Sequence, residues 1–527
     1  MSLLNDLQAV LGERGLDAYL VPRADAFFGE EVRACDERLA AVSGFGGSAG
    51  LAVVRAKGRS DLLVDGRYST QARATIEGPD WLVTEGRLSH ILESLEGCRI
   101  AYDPWLFAPG QIKVLADLDT IAEPENLVDL VWQDRPSQAA SAPTPLPLDL
   151  AGEDSAAKCA RMAEACQARS LLITQPDALA WLMNWRGRDL THTPVHLAFG
   201  VLSPAGAVQV FAPDARADLL AALEAAGQVQ YDPGLTSAAL VQAFGEQGIA
   251  APCPIIAAKA VKNAAEIEAM RAAHAADGQA VSKFLNWYAA QAQTELSELD
   301  LVAKLAEFRA AVPGYAGPSF ETISGAGPNG AIPHYRVSEA SNRQLQAGEF
   351  VVLDSGGQYP GATTDITRTL PVGAVSERMR RDFTLVLQGM INLTLQQFPV
   401  GTTGHQLDVL ARSALWNAGL NYNHGTGHGV GAGLSVHEAP PNVSSNARTP
   451  AADWALKPGM IFSNEPGLYL EGEYGIRCEN LLLVVERSEG WLGFETLTKA
   501  PFDEALIVWE LLTEAQANWL KTYQAQF

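Results

Sequence analysis

The sequence predicts an α/β (α+β) protein in which two similar N-terminal α/β domains precede a third, larger domain. Short apolar runs alternate with helical stretches throughout the first half of the chain. A stretch rich in Pro, Ser and Ala interrupts this pattern near residue 134, and the order of elements before it is repeated after it. We therefore predict domains over residues 1–136, 137–261 and 262–527.

The first domain opens with an amphipathic helix in MSLLNDLQAVLGERGLDAYL. This start carries Asp6 and Glu13 and lacks the basic residues, apolar core and cleavage site of a secretion signal, so we expect a cytoplasmic protein. The six cysteines show no close pairing motif and are expected to be reduced thiols. The predicted strands are LDAYLV (17–22), LAVV (51–54), DLLV (61–64) and RIAY (99–102).

The second domain is predicted to be a structural copy of the first. The segment RPSQAASAPTPLPLDLAGEDS at 135–155 has the composition of a linker. A helical run, SLLIT (170–174), FGVLSPAGAVQVFA (199–212) and QVQYD (228–232) then follow in the earlier order. Paired phrases such as LDAYLVPRADAFF and RSLLITQPDALAW show the likeness, and a helical segment near residue 262 opens the third domain.

Charge and hydropathy exclude two classes of partner. The formal net charge of -23 repels phosphate backbones, which Lys and Arg must neutralise in a nucleic-acid complex. No run of about 18 apolar residues is present, as a membrane span would require. We therefore expect a soluble protein that binds neither nucleic acid nor a membrane.

Before residue 262, one segment stands out for its polar side chains. WLMNWRGRDLTHTPV at 181–195 offers Arg186, Arg188, Asp189 and His192 beside a glycine, as a functional loop would. A buried Trp-rich strand end with a solvated charge pair explains the same residues equally well, and both interpretations stay open.

Four carboxylates of the third domain lie next to apolar strands. Asp354 follows FVVL and Asp365 lies close to the next β-branched run, so the two side chains can face one point. Glu465 follows MIFSN, and Glu479 leads the run LLLVV, where a charge needs a buried partner such as a cation. A single Asp in such a place is more typical of a turn or a cap.

Six of the nine histidines fall in this domain, and four of them are candidate site residues: His334, His424, His428 and His437. The last three lie among glycines in NHGTGHGVGAGLSVHEAP, and this clustering favours a site over isolated core histidines. Four carboxylates with one imidazole suit two divalent cations roughly 3.5–4 Å apart, bridged by a carboxylate. Oxygen-rich ligation indicates Mn²⁺, with Co²⁺ or Zn²⁺ as alternatives.

Strand alternation near Glu479 excludes a thiolate ligand. Cys478 adjoins Glu479 and is expected on the opposite face of the strand, whereas Arg477 is expected on the face of Glu479 and can steady it.

These residues, in this order and spacing, resemble the pita-bread metallopeptidases, and within them the long, three-domain form of the aminopeptidase P (Xaa-Pro aminopeptidase) family. The resemblance covers nearly the whole chain and implies a pita-bread fold for the third domain, with a short C-terminal extension. Its phrases are CDERLAAVSGFGGSAG, DGRY, WLMNWRG, AAKAVKN, GAGPNGAIPHY, LDSGGQY, TTDITRT, HGTGHGVG, VHEAP, SNEPG and GIRCEN.

The resemblance also implies roles for individual residues. Asp354, Asp365, His428, Glu465 and Glu479 would bind the two metal ions, with Asp365 and Glu479 bridging. His334 and His437 would act with Glu465 in catalysis, and His424, Tyr469 and Arg477 would support the substrate. A homodimer with its interface largely in the catalytic region is expected.

The implied reaction removes the first residue from peptides whose second residue is proline. A hydroxide bridging the metals would attack, Glu465 would take its proton, and His334 or His437 would stabilise the oxyanion. The Xaa-Pro bond has no N–H, so a shaped pocket has to replace strand-like docking of the substrate.

Other members of the fold supply the alternatives. The nearest is a prolidase, which takes only Xaa-Pro dipeptides, and methionine aminopeptidases are usually shorter than this chain. Binding proteins of the same fold, such as histone-chaperone modules, and creatinase-like amidinohydrolases work without the metals. The presence of all five ligand positions disfavours both.

Overall fold

A computed structural model describes residues 2–66, 68–137, 141–447 and 453–527. They form two compact units. The N-terminal unit comprises Met1–Pro145, Asp154–Thr191 and Val195–Ile255, and the C-terminal unit comprises Leu146–Glu153, His192–Pro194 and Ile256–Phe527. Arg67 of the phrase DGRY and residues 138–140 of the predicted linker lie outside the described residues.

The N-terminal unit begins with a six-stranded sheet in the order β4-β3-β2-β1-β5-β6. All four predicted strands are present in it. Its strands are β1 (Ala18–Pro22), β2 (Leu51–Arg55), β3 (Ser60–Val64), β4 (Trp81–Glu85), β5 (Arg99–Tyr102) and β6 (Asp119–Ala122). The helices are α1 (Leu3–Arg14), α2 (Arg38–Ser43), α3 (Ser69–Thr75), α4 (Pro109–Ile112) and α5 (Leu127–Val131).

The first helix shows how the sequence sets these elements. Ser2 caps α1 by accepting a hydrogen bond from the Asn5 N–H, and Gly15 ends the helix at φ 64°, a left-handed conformation that glycine adopts without strain. Leu4, Leu7 and Leu11 recur with the helical period, and this stripe is buried against the sheet.

The predicted linker is more structured than its composition suggests. It contains β7 (Thr144–Pro145), which pairs antiparallel with Trp185–Arg186, and α6 (Leu148–Ala151), which belongs to the C-terminal unit. Asn263 donates a hydrogen bond of 2.8 Å to the Ala151 carbonyl. Local pairing and a helix contact thus order residues that have no periodic pattern of their own.

A second sheet in the N-terminal unit has the order β11-β10-β8-β12-β13. Its strands are β8 (Ser170–Ile173), β10 (Phe199–Leu202), β11 (Val208–Phe211), β12 (Val229–Tyr231) and β13 (Gly248–Ala250), with β9 (Trp185–Arg186) outside the sheet. The helices are α7 (Ser155–Ala165), α8 (Pro176–Met183), α9 (Arg216–Ala225) and α10 (Ala238–Phe244).

The two sheets share one pattern of strand pairing. Strand β8 pairs antiparallel with β10 and parallel with β12, as β1 pairs antiparallel with β2 and parallel with β5. The prediction of two similar N-terminal α/β domains is therefore confirmed. The residue bounds given above for the three domains stay a prediction.

The segment 181–195 differs from the simpler interpretation of its sequence. Trp181 lies on α8, which ends at Asn184 with φ 50°, whereas Trp185 lies on the short strand β9, so the Trp-rich part spans a helix end and a strand. The Asp189 side chain is 1% exposed and lies 3.1 Å from the Nδ1 atom of His196. Asp189 is therefore not part of a solvated charge pair, although Arg188 is exposed.

The N-terminal unit also contains a buried charge network that the sequence reasoning did not anticipate. Arg38 is 2.7 Å from Asp129 and 3.2 Å from Asp36, and Arg135 is 2.7 Å from Asp129. This network ties the phrase CDER to α5, a contact across about ninety residues that no local pattern encodes.

The C-terminal unit contains an antiparallel sheet β15-β16-β19 and a larger sheet β20-β27-β26-β23-β21-β22. Their strands are β15 (Ile323–Ala326), β16 (Phe350–Ser355), β19 (Ile366–Pro371), β20 (Phe398–Pro399), β21 (Gly427–Gly429), β22 (Glu438–Val443), β23 (Ile461–Asn464), β26 (Asn480–Ser488) and β27 (Trp491–Thr496). Smaller sheets use β14 (Gly317–Pro318), β17 (Gly357–Tyr359), β18 (Ala362–Thr363), β24 (Gly467–Leu470) and β25 (Tyr474–Arg477).

Helices cover these sheets, and Asn263 and Ser376 cap the two longest. They are α11 (Pro254–Ala260), α12 (Ala264–Ala289), α13 (Glu298–Ala310), α14 (Glu377–Leu395), α15 (Gly404–Asn417) and α16 (Glu514–Gln524). Helix α14 packs against β25 and β27, and α12 packs against β18. Among the described helices, none combines the length and apolar character of a membrane span.

Candidate metal centre

Strand ends of the C-terminal unit position all five predicted ligands. Asp354 is on β16, and Asp365 immediately precedes β19, the neighbour of β16. His428 is the central residue of β21, Glu465 follows β23, and Glu479 lies between β25 and β26. Because β21 pairs with β23 and β23 with β26, the second sheet presents three of the five side chains side by side.

The side chains converge around His428. Its Nε2 atom lies 3.6 Å from Oδ2 of Asp365 and 3.4 Å from Oε1 of Glu465. One ligand atom each from Asp365, His428 and Glu479 lies within 4.8 Å of the others, a spacing that can hold a metal ion. Asp365 is 4% exposed and Glu479 1%, so these carboxylates are removed from water.

Asp354 supplies a further observation that favours a cation. Its Oδ2 accepts a hydrogen bond of 2.6 Å from Arg477, whereas its buried Oδ1 has no hydrogen-bond partner within the described parts of the chain. A buried carboxylate oxygen without a donor is costly, and a metal ion would satisfy it.

The protonation behaviour of the metal-free carboxylates fits this interpretation. Burial, together with the charges of neighbouring carboxylates, raises the pKa of both Asp365 and Glu479 well above the ordinary range. Burial also raises the pKa of Glu465 to about 7, although Arg477 opposes the shift. Like charges packed in an apolar interior resist ionisation, and bound cations would remove that resistance.

The His428 ring is oriented for ligation. Its Nδ1 is 2.9 Å from the Gly429 carbonyl oxygen, which accepts the Nδ1–H and leaves the Nε2 lone pair facing the carboxylates. The His428 N–H donates to Ser463 Oγ at 3.0 Å, and the Ser463 hydroxyl donates to Glu465 at 3.0 Å. One serine therefore aligns two predicted ligands.

Thr367 aligns the predicted ligand Glu479. Neither Ser463 nor Thr367 was among the site residues predicted from the sequence. Thr367 Oγ1 donates to Glu479 Oε2 at 2.7 Å and accepts from Arg477 Nε at 3.1 Å. Thr367 lies two residues after Asp365 and Ser463 two before Glu465, so alternation along a strand was the available signal.

The Cys478 thiol is buried within an apolar cluster, away from a ligand role, as predicted. The reason given from sequence is wrong in one respect, because Cys478 and Glu479 lie between β25 and β26 rather than inside a strand.

The other predicted site residues are linked to the carboxylates through contacts with His428 and Arg477. The His437 ring stands edge-on to the His428 ring at 4.3 Å between centroids. His424 Nε2 is 2.9 Å from Tyr469 Oη, which accepts a hydrogen bond of 2.8 Å from Arg477. His334 follows Pro333, whose carbonyl oxygen is 3.3 Å from Arg477 Nη1. Arg477 thus contacts both Tyr469 and the carboxylate of Asp354.

His424 is uncharged in this setting. Burial, reinforced by the positive charge of Arg477, lowers its pKa to about 3. It can therefore exchange a hydrogen bond with Tyr469 without adding a charge to the site.

This fold and this set of donors define a metallopeptidase whose carboxylates suit a centre of two divalent ions. Residues 268–486 match metallopeptidase family M24, and residues 490–527 match the C-terminal region of peptidase M24. Residues 4–130 and 134–224 match the creatinase/prolidase N-terminal domain.

Similar proteins of known family show to which group of M24 metallopeptidases the chain belongs. The chain is 34% identical to the probable Xaa-Pro aminopeptidase P of Paracoccidioides brasiliensis strain Pb03 over 582 residues, covering 99% of this chain and 94% of the relative. It is equally identical to the corresponding protein of Metarhizium robertsii over 586 residues, with 99% and 94% covered. The chain belongs to the Xaa-Pro aminopeptidase P family of M24 metallopeptidases, as the sequence motifs predicted.

A solved structure supports the same assignment. The X-prolyl aminopeptidase of Caenorhabditis elegans, described as a cytosolic enzyme with a dinuclear active site, superposes with a TM-score of 0.92 at 31% identity. The match covers 99% of this chain and 94% of the other. The predicted architecture, with a pita-bread domain after the two α/β domains, is confirmed.

Proposed function

We propose that this protein is a metal-dependent aminopeptidase that hydrolyses the first peptide bond of substrates with proline at the second position. The observation that carries the proposal is the convergence of buried carboxylates on His428 Nε2, with Asp354 Oδ1 left without a donor. The relatives named Xaa-Pro aminopeptidase support the substrate class.

We assign Asp354, Asp365, His428, Glu465 and Glu479 as ligands of two divalent ions, with Asp365 and Glu479 bridging. When bound, such ions lower the pKa of a water molecule and polarise a carbonyl. Oxygen-rich ligation favours Mn²⁺, with Co²⁺ and Zn²⁺ as alternatives.

Glu465 is assigned to proton transfer. The raised pKa of Glu465, about 7 because of burial before metal binds, supports this assignment, since a group that transfers protons works best with a pKa near neutrality. The Ser463 hydroxyl holds Oε1, and the Glu465 N–H donates 2.8 Å to the Thr426 carbonyl, so both ends of the residue are fixed. In the proposed reaction, Glu465 accepts a proton from the attacking water and passes it to the leaving proline nitrogen.

His437 and His334 are assigned to the developing oxyanion. His437 packs against the ligand His428, and His334 adjoins the Pro333 carbonyl that contacts Arg477. A donor placed where charge develops lowers the barrier more than one that contacts only the ground state. His424, Tyr469 and Arg477 are assigned to the substrate side as one hydrogen-bonded chain.

We further propose a cytoplasmic homodimer whose interface lies largely in the catalytic region. The description of the C. elegans enzyme as cytosolic supports the location. Sedimentation velocity on the full chain tests the assembly, and a single species at the monomer mass would contradict it.

The deciding experiment compares a Xaa-Pro-Yaa peptide with a Xaa-Pro dipeptide, with and without Mn²⁺, and identifies the products. We expect Mn²⁺-dependent release of the first residue from the longer peptide. Glu465→Gln and His428→Ala should abolish turnover, and substantial activity in either variant would refute the ligand assignment. Turnover of the dipeptide alone would instead favour the prolidase alternative.

A further inference from the structure

The backbone of Glu479 is held at two points by β19, in addition to the contact of its carboxylate with Thr367. The Glu479 N–H donates to the Thr367 carbonyl at 3.3 Å. The Glu479 carbonyl accepts a hydrogen bond of 2.6 Å from Nη1 of Arg368. Two consecutive residues of β19 therefore fix all three polar parts of this predicted ligand.

Arg368 is itself an unusual residue, because it is 3% exposed and its guanidinium contacts neutral oxygens. Besides Glu479, it donates to carbonyl and side-chain oxygens at 2.6 to 3.2 Å. These acceptors are the carbonyls of Thr367, Ala500 and Pro501, Asn480 Oδ1 and Tyr523 Oη. A buried cation that relies on neutral acceptors depends on nearly every one of them.

Three of the six acceptors, counting the Glu479 carbonyl, come from the C-terminal segment 500–523. Ala500 and Pro501 follow β27, and Tyr523 lies on α16. Phe502 adds its ring face 3.9 Å from the guanidinium carbon. The segment therefore supplies acceptors for Nε and Nη2 and a ring contact, whereas Nη1 binds the Glu479 carbonyl.

Tyr523 organises this group of acceptors. Its hydroxyl lies 2.9 Å from the Ala500 carbonyl, 3.1 Å from the Thr498 carbonyl and 3.3 Å from Asn480 Oδ1. Because Ala500 and Asn480 both bind Arg368 Nη2, loss of the Tyr523 hydroxyl would loosen the acceptors as well as remove one.

We infer that the C-terminal segment 500–523 supports the metal centre: Tyr523 seats Arg368, and Arg368 holds the backbone of Glu479. Arg368 and Tyr523 are then positioning residues that act through Glu479. This inference rests on the proposed ligand role of Glu479. The C-terminal segment 500–523 would then contribute to metal binding as well as to packing.

The test measures Mn²⁺ binding to the full-length, metal-stripped protein by isothermal titration calorimetry. Groups that orient a metal ligand typically contribute about 10–100-fold in affinity. We expect Arg368→Lys to weaken the binding of both Mn²⁺ ions by about that factor, because Glu479 is proposed to bridge them and a single ammonium cannot reach all the oxygens. Tyr523→Phe should weaken the same binding by roughly 3–10-fold while preserving the ring packing.

Tyr288→Phe is the matched control, since it removes another buried hydroxyl, 2.9 Å from the Pro371 carbonyl, in a different core cluster. It should leave both Mn²⁺ affinities unchanged. In the Arg368→Lys background, Tyr523→Phe should add little further loss, because both changes act through one contact.

The outcomes separate the inference from the proposed function. Wild-type affinities in Tyr523→Phe, equal losses in Tyr288→Phe, or additive losses in the double variant would each overturn the inference. Failure of the wild-type protein to bind two Mn²⁺ ions, or two intact sites in Glu479→Gln, would instead overturn the ligand assignment.

Discussion

Arg477 donates a hydrogen bond of 2.6 Å from Nη2 to Oδ2 of Asp354, so a buried guanidinium lies against a carboxylate of the proposed metal centre. The same guanidinium reaches Tyr469 Oη and Thr367 Oγ1. A positive charge of the protein is therefore already present where the carboxylates repel one another. This arrangement predicts how the site behaves without metal.

Replacing Arg477 with Met should destabilise the metal-free protein more than the metal-loaded protein. Without metal, Arg477 compensates the carboxylates, and loss of one partner of a buried ion pair costs about 3–5 kcal/mol. Bound divalent ions would carry most of that compensation. Melting temperatures with EDTA and with Mn²⁺ check this, and Arg477→Lys should recover part of the loss. An equal fall under both conditions would contradict the prediction.

The stability of the metal-free protein should depend on pH in the direction set by raised carboxyl pKa values. Asp365, Glu465 and Glu479 have pKa values above the range near 4 of unfolded carboxyls, and that of Glu465 is about 7. A raised folded-state pKa contributes stability that is complete below the unfolded pKa and is lost as pH rises through the folded pKa. The loss from Glu465 therefore falls between about pH 4 and about pH 7, and the loss from Asp365 and Glu479 likewise begins above the unfolded pKa and is complete only above their raised pKa values.

Urea unfolding in EDTA at about pH 5 and about pH 7.5 measures this loss. Glu465→Gln should reduce the pH dependence, because an amide does not ionise. Mn²⁺ should bind more tightly at the higher pH, since its ligands must be deprotonated. A pH dependence identical in wild type and Glu465→Gln would show that this carboxyl does not carry a raised pKa.

The loop that carries His334 is anchored by Glu298, a fully buried residue at the start of α13. Its carboxylate accepts hydrogen bonds from the Ala326 N–H at 2.7 Å, from Asn329 Nδ2 at 2.9 Å and from Tyr335 Oη at 3.1 Å. Because Tyr335 adjoins His334, we expect Tyr335→Phe to lower kcat by roughly 10-fold through misplacement of the imidazole.

A double-mutant cycle tests this route. In a His334→Ala background, Tyr335→Phe should cost little more, since the residue it positions is gone. Mn²⁺ affinity should stay unchanged in both variants, because none of the predicted ligands is in this loop. Full additivity of the two losses would show that Tyr335 acts independently of His334.

The predicted ligands were accessible from sequence because each one adjoins its own strand and carries a local signal. Asp354, Glu465 and Glu479 are carboxylates beside strongly apolar runs. A carboxylate buried with such a run needs a partner for its charge, whichever position the strand takes in the sheet. The fold class could also be predicted from local patterns, because β1, β2, β3 and β5 each coincide with a short apolar run in the sequence.

The supporting contacts were not accessible, because they join residues far apart in the chain. Arg368 and Tyr523 are 155 residues apart, and Lys259 lies 2.6 Å from Glu438 across 179 residues. Lys262 also contacts the Glu438 carboxylate, next to His437. The periodicity of apolar residues predicts which face of a helix or strand is buried, but it does not predict which distant residue contacts that face.

Two glycines of the phrase HGTGHG should respond differently to substitution. A Cβ on Gly427 would lie 1.7 Å from the Ser463 carbonyl oxygen, which belongs to the backbone of β23. A Cβ on Gly425 would meet its nearest atom, the Val443 carbonyl oxygen, at an ordinary 3.5 Å. Gly427→Ala must therefore push β23 away from β21, whereas Gly425→Ala fits the space available.

Displacement of Ser463 would move two predicted ligands together, because this serine binds both the His428 N–H and the Glu465 carboxylate. We expect Gly427→Ala to lose about 1–3 kcal/mol of unfolding free energy and most of its Mn²⁺ affinity and turnover. Gly425→Ala should stay within about 1 kcal/mol of wild type and remain active. Chemical unfolding, calorimetric Mn²⁺ titration and peptide hydrolysis on both variants check this, and an active Gly427→Ala with two intact Mn²⁺ sites would show that the spacing of β21 and β23 does not set the geometry of the centre.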